Sequence, residues 1–160
     1  MDALHLAQNK EVLAYEGMNE LSQCFAQALF SVFPDWERLA KAVNHDETGA
    51  DYMEVAVEQE GSDRVLHLST ADNEITIGFE HWHIHIGPFL GIDKAESVAT
   101  AIAIIDSFVA EKSVVKVSYR DGVWIESSLD YRAAPSEPKP HSTTAVFSWR
   151  RTYDETIENP

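Results

Sequence analysis

One long helix between two groups of strand-like segments constrains the fold of this chain. Asp93 and Glu96 have the spacing of a capping box, in which a side chain satisfies a backbone N–H at the helix start. Apolar residues then recur at intervals of three and four, which predicts a helix over residues 93–111. They form one wide face: Ala95, Val98, Ala99, Ile102, Ile105, Phe108 and Val109. Because the flanking segments alternate with a period of two, the pattern predicts an α+β fold.

The segment before this helix predicts an antiparallel meander over residues 52–86. Residues 52–60 alternate between an apolar face and an acidic face: Met53, Val55 and Val57 against Glu54, Glu58 and Glu60. Polar turns at residues 60–63 and 71–74 lead into two further strands, at 64–69 and 74–79. The first strand is therefore expected to be half-buried, with an acidic outer face.

The N-terminal part, residues 11–44, is predicted to be helical. A stripe of apolar residues at helical spacing precedes Pro34, which ends the first helix: Leu21, Cys24, Phe25, Ala28, Leu29 and Val32. A shorter helix is expected from Asp35 to Asn44, since Trp36, Leu39, Ala40 and Val43 repeat the same spacing. Cys24 lies inside the first stripe, where a thiol behaves as a small hydrophobic side chain.

The C-terminal part predicts strands between residues 114 and 150. The pair Asp121–Gly122 is typical of a tight hairpin turn between strands at 114–119 and 123–129. Residues 133–144 hold three of the six prolines and are expected to form an exposed loop. A last strand is predicted at 145–150, with Arg150 or Arg151 pairing Asp154 and a polar tail that frays beyond it.

Length and composition agree with one domain, residues 1–160. A chain of 160 residues with 44% hydrophobic side chains can bury a core. We expect a mostly antiparallel sheet of five or six strands with two or three helices packed on one face. The single cysteine excludes an intramolecular disulfide, and no stretch has the roughly 18 apolar residues of a membrane span. The start MDALHLAQNK has no signal-peptide pattern, which favours a cytoplasmic protein.

The net charge of −15 excludes several classes of partner. This charge repels phosphate backbones and anionic membrane surfaces, so we expect neither nucleic acid nor membrane as a ligand. Residues 51–100 hold ten acidic against two basic side chains, which concentrates the charge around the meander. A basic protein partner is expected there, and the candidate contact residues are Glu54, Glu58, Glu60 and Asp63. A solvated strand face explains the same residues equally well.

The sequence HWHIH carries the second candidate site. In an extended chain His81, His83 and His85 share one face, opposite Trp82 and Ile84. Two of these imidazoles suffice to hold zinc or another transition metal, and His67 is a possible third ligand. The simpler interpretation, a solvent-facing strand, is favoured because the ligand pair has no diagnostic carboxylate. The apolar residues at 75, 77 and 79 occupy odd positions, as do the three histidines, so an unbroken strand would place both sets on one face. We expect the alternation to break near Glu80, by a bulge or bend. The alternative is a continuous strand that buries the histidines, whose ring nitrogens would then need partners.

Three segments carry a family resemblance. HWHIH before a capped helix, the hairpin VSYRDGVWIESS and the closing SWRRTYD resemble small bacterial proteins, over the C-terminal half of the chain. Some of these are immunity proteins of contact-dependent inhibition and other polymorphic toxin systems. Their pattern tends to carry glycine where Arg151 stands here.

The resemblance implies a protein with no enzymatic activity and no cofactor. Such a protein binds the C-terminal domain of a cognate toxin and blocks its active site or substrate surface. The acidic charge favours a basic, nuclease-type toxin. The alternatives are a metal-binding protein or metal-dependent enzyme using the histidine strand, and a structural subunit without a ligand.

Overall fold

The computed structural model describes residues 15–45, 49–134 and 139–160, and its α+β fold confirms the predicted class. The α-helices are α1 (Glu20–Val32) and α2 (Lys94–Val109). The strands are β1 (Ala40–Asn44), β2 (Asp51–Glu58), β3 (Val65–Ser69), β4 (Ile75–Phe79), β5 (Trp82–Ile86), β6 (Ser113–Arg120), β7 (Val123–Tyr131), β8 (Ser142–Phe147) and β9 (Glu155–Asn159). Short 3-10 helices occupy Tyr15–Gly17, Pro34–Leu39, Ala71–Asn73 and Pro88–Leu90. No helix within these ranges is long and apolar enough to cross a membrane.

The strands form two antiparallel sheets. The larger has the order β1-β2-β3-β4-β5, so the predicted meander is confirmed as consecutive neighbours. The smaller has the order β7-β6-β8-β9. Asp121 and Gly122 both have positive φ in the turn between β6 and β7, as the hairpin prediction requires.

The core lies between α1, α2 and one face of the larger sheet. That face contributes Met53, Val55, Val57, Leu66, Leu68, Ile75, Ile77 and Phe79, all buried. Cys24 is half-buried against this core, as the apolar stripe predicts. The α2 prediction is also confirmed: Asp93 Oδ1 accepts a hydrogen bond from the Glu96 N–H at 2.8 Å, although Ala95 and Ala99 are exposed.

The helical prediction for residues 11–44 is only partly right. Residues 11–14 lie outside the described residues, and α1 starts at Glu20, where Asn19 Oδ1 accepts from the Ser22 N–H at 2.8 Å. Residues 40–44, predicted as helix, form β1 instead. The reason is tertiary: β1 pairs along the edge of β2, and backbone pairing decides the conformation of a segment whose own pattern is ambiguous.

Two predictions for the last thirty residues are wrong. β8 runs over Ser142–Phe147 rather than 145–150, and residues 135–138 of the predicted loop lie outside the described residues. The tail is not frayed, since Glu155–Asn159 pairs with β8 as β9. Backbone hydrogen bonds to β8 hold this edge strand in place although its side chains are mostly polar.

Candidate functional site

The face of the larger sheet that points away from the helices carries both sets of candidate residues. We call this surface the open face. Strand register aligns its side chains in two rows: Glu54, Ser69, Thr76 and His85 in one, and Ala56, His67, Gly78 and His83 in the other. The small residues at the centre of the rows leave shallow depressions beside His67.

The structure brings together two of the three predicted histidines. His83 and His85 both lie on the open face of β5, whereas His81 lies in the two-residue turn between β4 and β5. The His81 ring packs edge-on against Tyr119, with the centroids 6.3 Å apart. The expected break near Glu80 is confirmed, but it is a hairpin reversal, with Glu80 at φ 53°, and not the predicted bulge or bend within one strand.

Neighbouring side chains orient the histidines of β5. His85 Nδ1 lies 2.6 Å from Glu74 Oε1 and 3.1 Å from Thr76 Oγ1. The His83 and His85 ring centroids are 5.1 Å apart, with the rings nearly perpendicular. His67 faces His83 across Gly78, one row away from His85. In the part of the chain that the structure describes, no three or more His, Cys, Asp or Glu side chains are grouped to hold a metal ion.

The acidic candidates lie along β2 and the turn that follows it. Glu54 and Glu58 are exposed on the open face of β2, and Glu60 is exposed in the turn between β2 and β3. None of these three forms an ion pair with another described residue. Desolvation raises the pKa of Tyr52, and the negative charge of Glu54, the hydrogen bond to it and the charge of Asp72 add to this shift.

Asp63 differs from the other three acids because it is paired. Its carboxylate accepts a hydrogen bond from Arg151 at 2.6 Å. The adjacent residue, Arg64, forms a bidentate pair with Asp154, at 3.0 and 2.6 Å. We call these two ion pairs, Asp63–Arg151 and Arg64–Asp154, the double clamp. It ties the turn between β2 and β3 to the segment between β8 and β9.

Sequence reasoning missed the partner of Asp154. The predicted partners were Arg150 and Arg151, but the guanidinium that reaches Asp154 belongs to Arg64. Burial alone would raise the pKa of Asp154, yet hydrogen bonds from Arg64 and from the Ser148 N–H outweigh it and lower the pKa. Arg64 is a lone basic residue in an acidic segment, which is the only signal in the sequence that marks it.

Glu111 is a second missed residue in the same region. Its buried carboxylate accepts from the Arg150 N–H at 2.7 Å. Desolvation would raise the pKa of Glu111, but hydrogen bonds from Thr152, Arg150 and Ser148 together lower it. The charged Glu111 carboxylate, just after the end of α2, therefore holds the segment after β8 in place.

Comparison with known proteins adds no relative: no family model, no curated protein and no solved structure matches the chain. The resemblance to immunity proteins therefore stays a prediction.

Proposed function

We propose that this chain binds a basic protein partner through the acidic part of the open face, and that it acts as a cytosolic immunity protein. The partner would be the C-terminal domain of a cognate, nuclease-type toxin, neutralised by occlusion of its active site or substrate surface. The observation that carries the proposal is the exposed carboxylates of Glu54, Glu58 and Glu60, which have no ion-pair partner among the described residues.

The electrostatics of the surface support this role. A mainly acidic surface attracts a basic protein over several ångströms and raises the association rate constant. A nuclease domain has a basic substrate surface, because it must bind phosphates. Carboxylates presented on a regular strand can therefore occupy the positions that phosphates would take on such a domain.

The mechanics of the fold support it as well. Glu54 and Glu58 project from β2, which is paired on both sides, by β1 and β3. The double clamp fixes the turn that carries Glu60. A preorganised surface loses little conformational entropy on binding, which favours tight inhibition. No catalytic residue is assigned, since occlusion needs only surface complementarity.

The combined substitution Glu54→Lys, Glu58→Lys and Glu60→Lys tests this proposal. Each reversal replaces attraction by repulsion and costs about 1 kcal/mol, so we expect affinity to fall on the order of 100-fold at low salt. Where the reading frame directly upstream encodes a large secreted protein, the C-terminal domain of that protein is the partner to use. Binding is measured by surface plasmon resonance over a range of salt concentrations, and neutralisation by growth of cells that co-express both proteins.

A matched variant separates local from overall charge. Asp106→Lys, Glu155→Lys and Glu158→Lys changes the net charge equally, but on α2 and β9. We expect this control to lose less than about threefold in affinity. Equal losses in the two variants would place the interface elsewhere. No binding and no protection against the upstream domain would reject the immunity function itself.

A further inference from the structure

Gly78 separates two imidazoles on the open face. In the register of β3, β4 and β5, Gly78 lies directly between His67 and His83. A Cβ atom placed on Gly78 would lie 3.9 Å from the His67 Cβ and 3.9 Å from the His83 Cβ. The Cβ atoms of His67 and His83 are therefore separated by at most twice 3.9 Å. Because residue 78 is glycine, no side chain lies between them.

The fold itself does not require glycine at this position. Gly78 does not have the positive φ that favours glycine, and an added Cβ would make only ordinary van der Waals contacts. Glycine inside a strand costs roughly 0.5–1 kcal/mol relative to alanine. Its effect here is to keep the space between the imidazoles open, and a glycine within a strand often marks the close approach of a ligand.

We propose that His67 and His83 form an open two-histidine site for a divalent transition-metal ion such as Zn²⁺, Co²⁺ or Ni²⁺. Because an imidazole nitrogen lies about 2.0–2.1 Å from a bound zinc ion, one ion can be shared by two histidines whose Cβ atoms flank a single glycine. His67, Gly78 and His83 line the same depression, of about 340 Å³, which has room for the ion and its water ligands.

Two carboxylates also line this depression, those of Asp63 and Glu80. Both have arginine neighbours, Arg151 at 2.6 Å and Arg64 at 3.6 Å, so they are engaged in ion pairs and are not free ligands. With two protein ligands, the remaining coordination positions belong to water.

The other histidines of this region are placed differently. His85 does not line the depression; it lies in the neighbouring row, with Nδ1 directed to Glu74. His81 packs against Tyr119. The site therefore differs from the pairs within HWHIH that the sequence suggests, and it does not depend on toxin binding.

Titration of the full-length, tag-free protein with Co²⁺ and Zn²⁺ at neutral pH tests the site, by calorimetry and by cobalt absorption. We expect one ion to bind per chain, and His67→Gln and His83→Gln each to weaken binding by at least about 10-fold. His85→Gln is the matched control; because His85 does not line the depression, we expect binding close to that of the wild type. All three residues are exposed, so unchanged thermal unfolding is expected to show that the variants remain folded.

A fourth variant tests the space itself. Gly78→Val keeps both imidazoles and fills the gap between them, so we expect it to weaken binding while the β-branched residue suits the strand. Absence of binding at millimolar ion would overturn the proposal. So would wild-type affinity in His67→Gln, or an equal loss in His85→Gln, which would assign the ion to β5 alone.

Discussion

Asp154→Asn is expected to lower the free energy of unfolding by about 2–4 kcal/mol, because it removes the charge that balances a buried guanidinium. The Arg64 side chain is 7% exposed and that of Asp154 is 28% exposed. Arg64 also donates to the Ser148 carbonyl at 2.8 Å and lies over the Phe147 ring, contacts that hold it in place after the substitution. The buried positive charge would then keep only its longer contact with Glu80, at 3.6 Å, in place of the bidentate pair.

The other half of the double clamp provides the control. Asp63→Asn removes the carboxylate of the second ion pair between the same two segments. In that pair the Asp63 side chain is 92% exposed and the Arg151 side chain is 51% exposed. An exposed pair contributes about 0–1 kcal/mol, so Asp63→Asn is expected to have a much smaller effect. Urea denaturation of both variants measures the difference. Equal losses would show that burial does not set the strength of the clamp.

The pH dependence of the same variant gives an independent check. The folded-state pKa of Asp154 is lowered, so its stabilisation is present above the unfolded-state pKa, about 3.9, and is lost as the pH falls through the folded-state pKa. The stability difference between wild type and Asp154→Asn should therefore shrink below about pH 4. A difference that persists at lower pH would assign the effect to packing rather than charge.

The elements that the sequence predicts correctly depend on local signals. The Asp93 cap, the period of α2, the alternation of β2 and the Asp121–Gly122 turn each involve residues a few positions apart. The open face follows from the same alternation, so the exposure of Glu54, Glu58, His83 and His85 is predictable without coordinates.

The contacts that the sequence does not predict join distant residues. Arg64 and Asp154 are 90 positions apart, and no periodicity connects them. Gly78 lies between His67 and His83 only because β3, β4 and β5 pair in one particular register. The edge strands β1 and β9 are held by backbone pairing, which side-chain patterns do not specify. The break in the histidine strand was predicted only in part. The shared odd positions of the apolar residues and the histidines located the break near Glu80, but they did not distinguish a hairpin from a bulge.

Trp149→Ala is expected to produce the largest loss of stability, about 3–5 kcal/mol. The Trp149 ring lies 6.0 Å, centroid to centroid, from Phe79 of β4 and 6.0 Å from Phe108 of α2. Phe79 and Phe108 are themselves 4.6 Å apart, edge to face. These three rings join the larger sheet, α2 and the segment after β8, so truncation leaves a cavity where three parts of the fold meet.

Trp124→Ala is the matched control, with the same change of side chain on an exposed position. Trp149 is 5% exposed and Trp124 is 53% exposed, so the control should lose less than about 1 kcal/mol. Chemical denaturation followed by circular dichroism measures both, and Trp149→Phe should recover part of the loss because it refills most of the cavity.

Since Trp149 lies between Ser148 and Arg150, where Asp154 and Glu111 anchor the backbone, its removal should also loosen the double clamp. Trp149→Ala combined with Asp154→Asn is therefore expected to cost less than the sum of the single variants. Strict additivity would show that the aromatic junction and the clamp stabilise the fold independently.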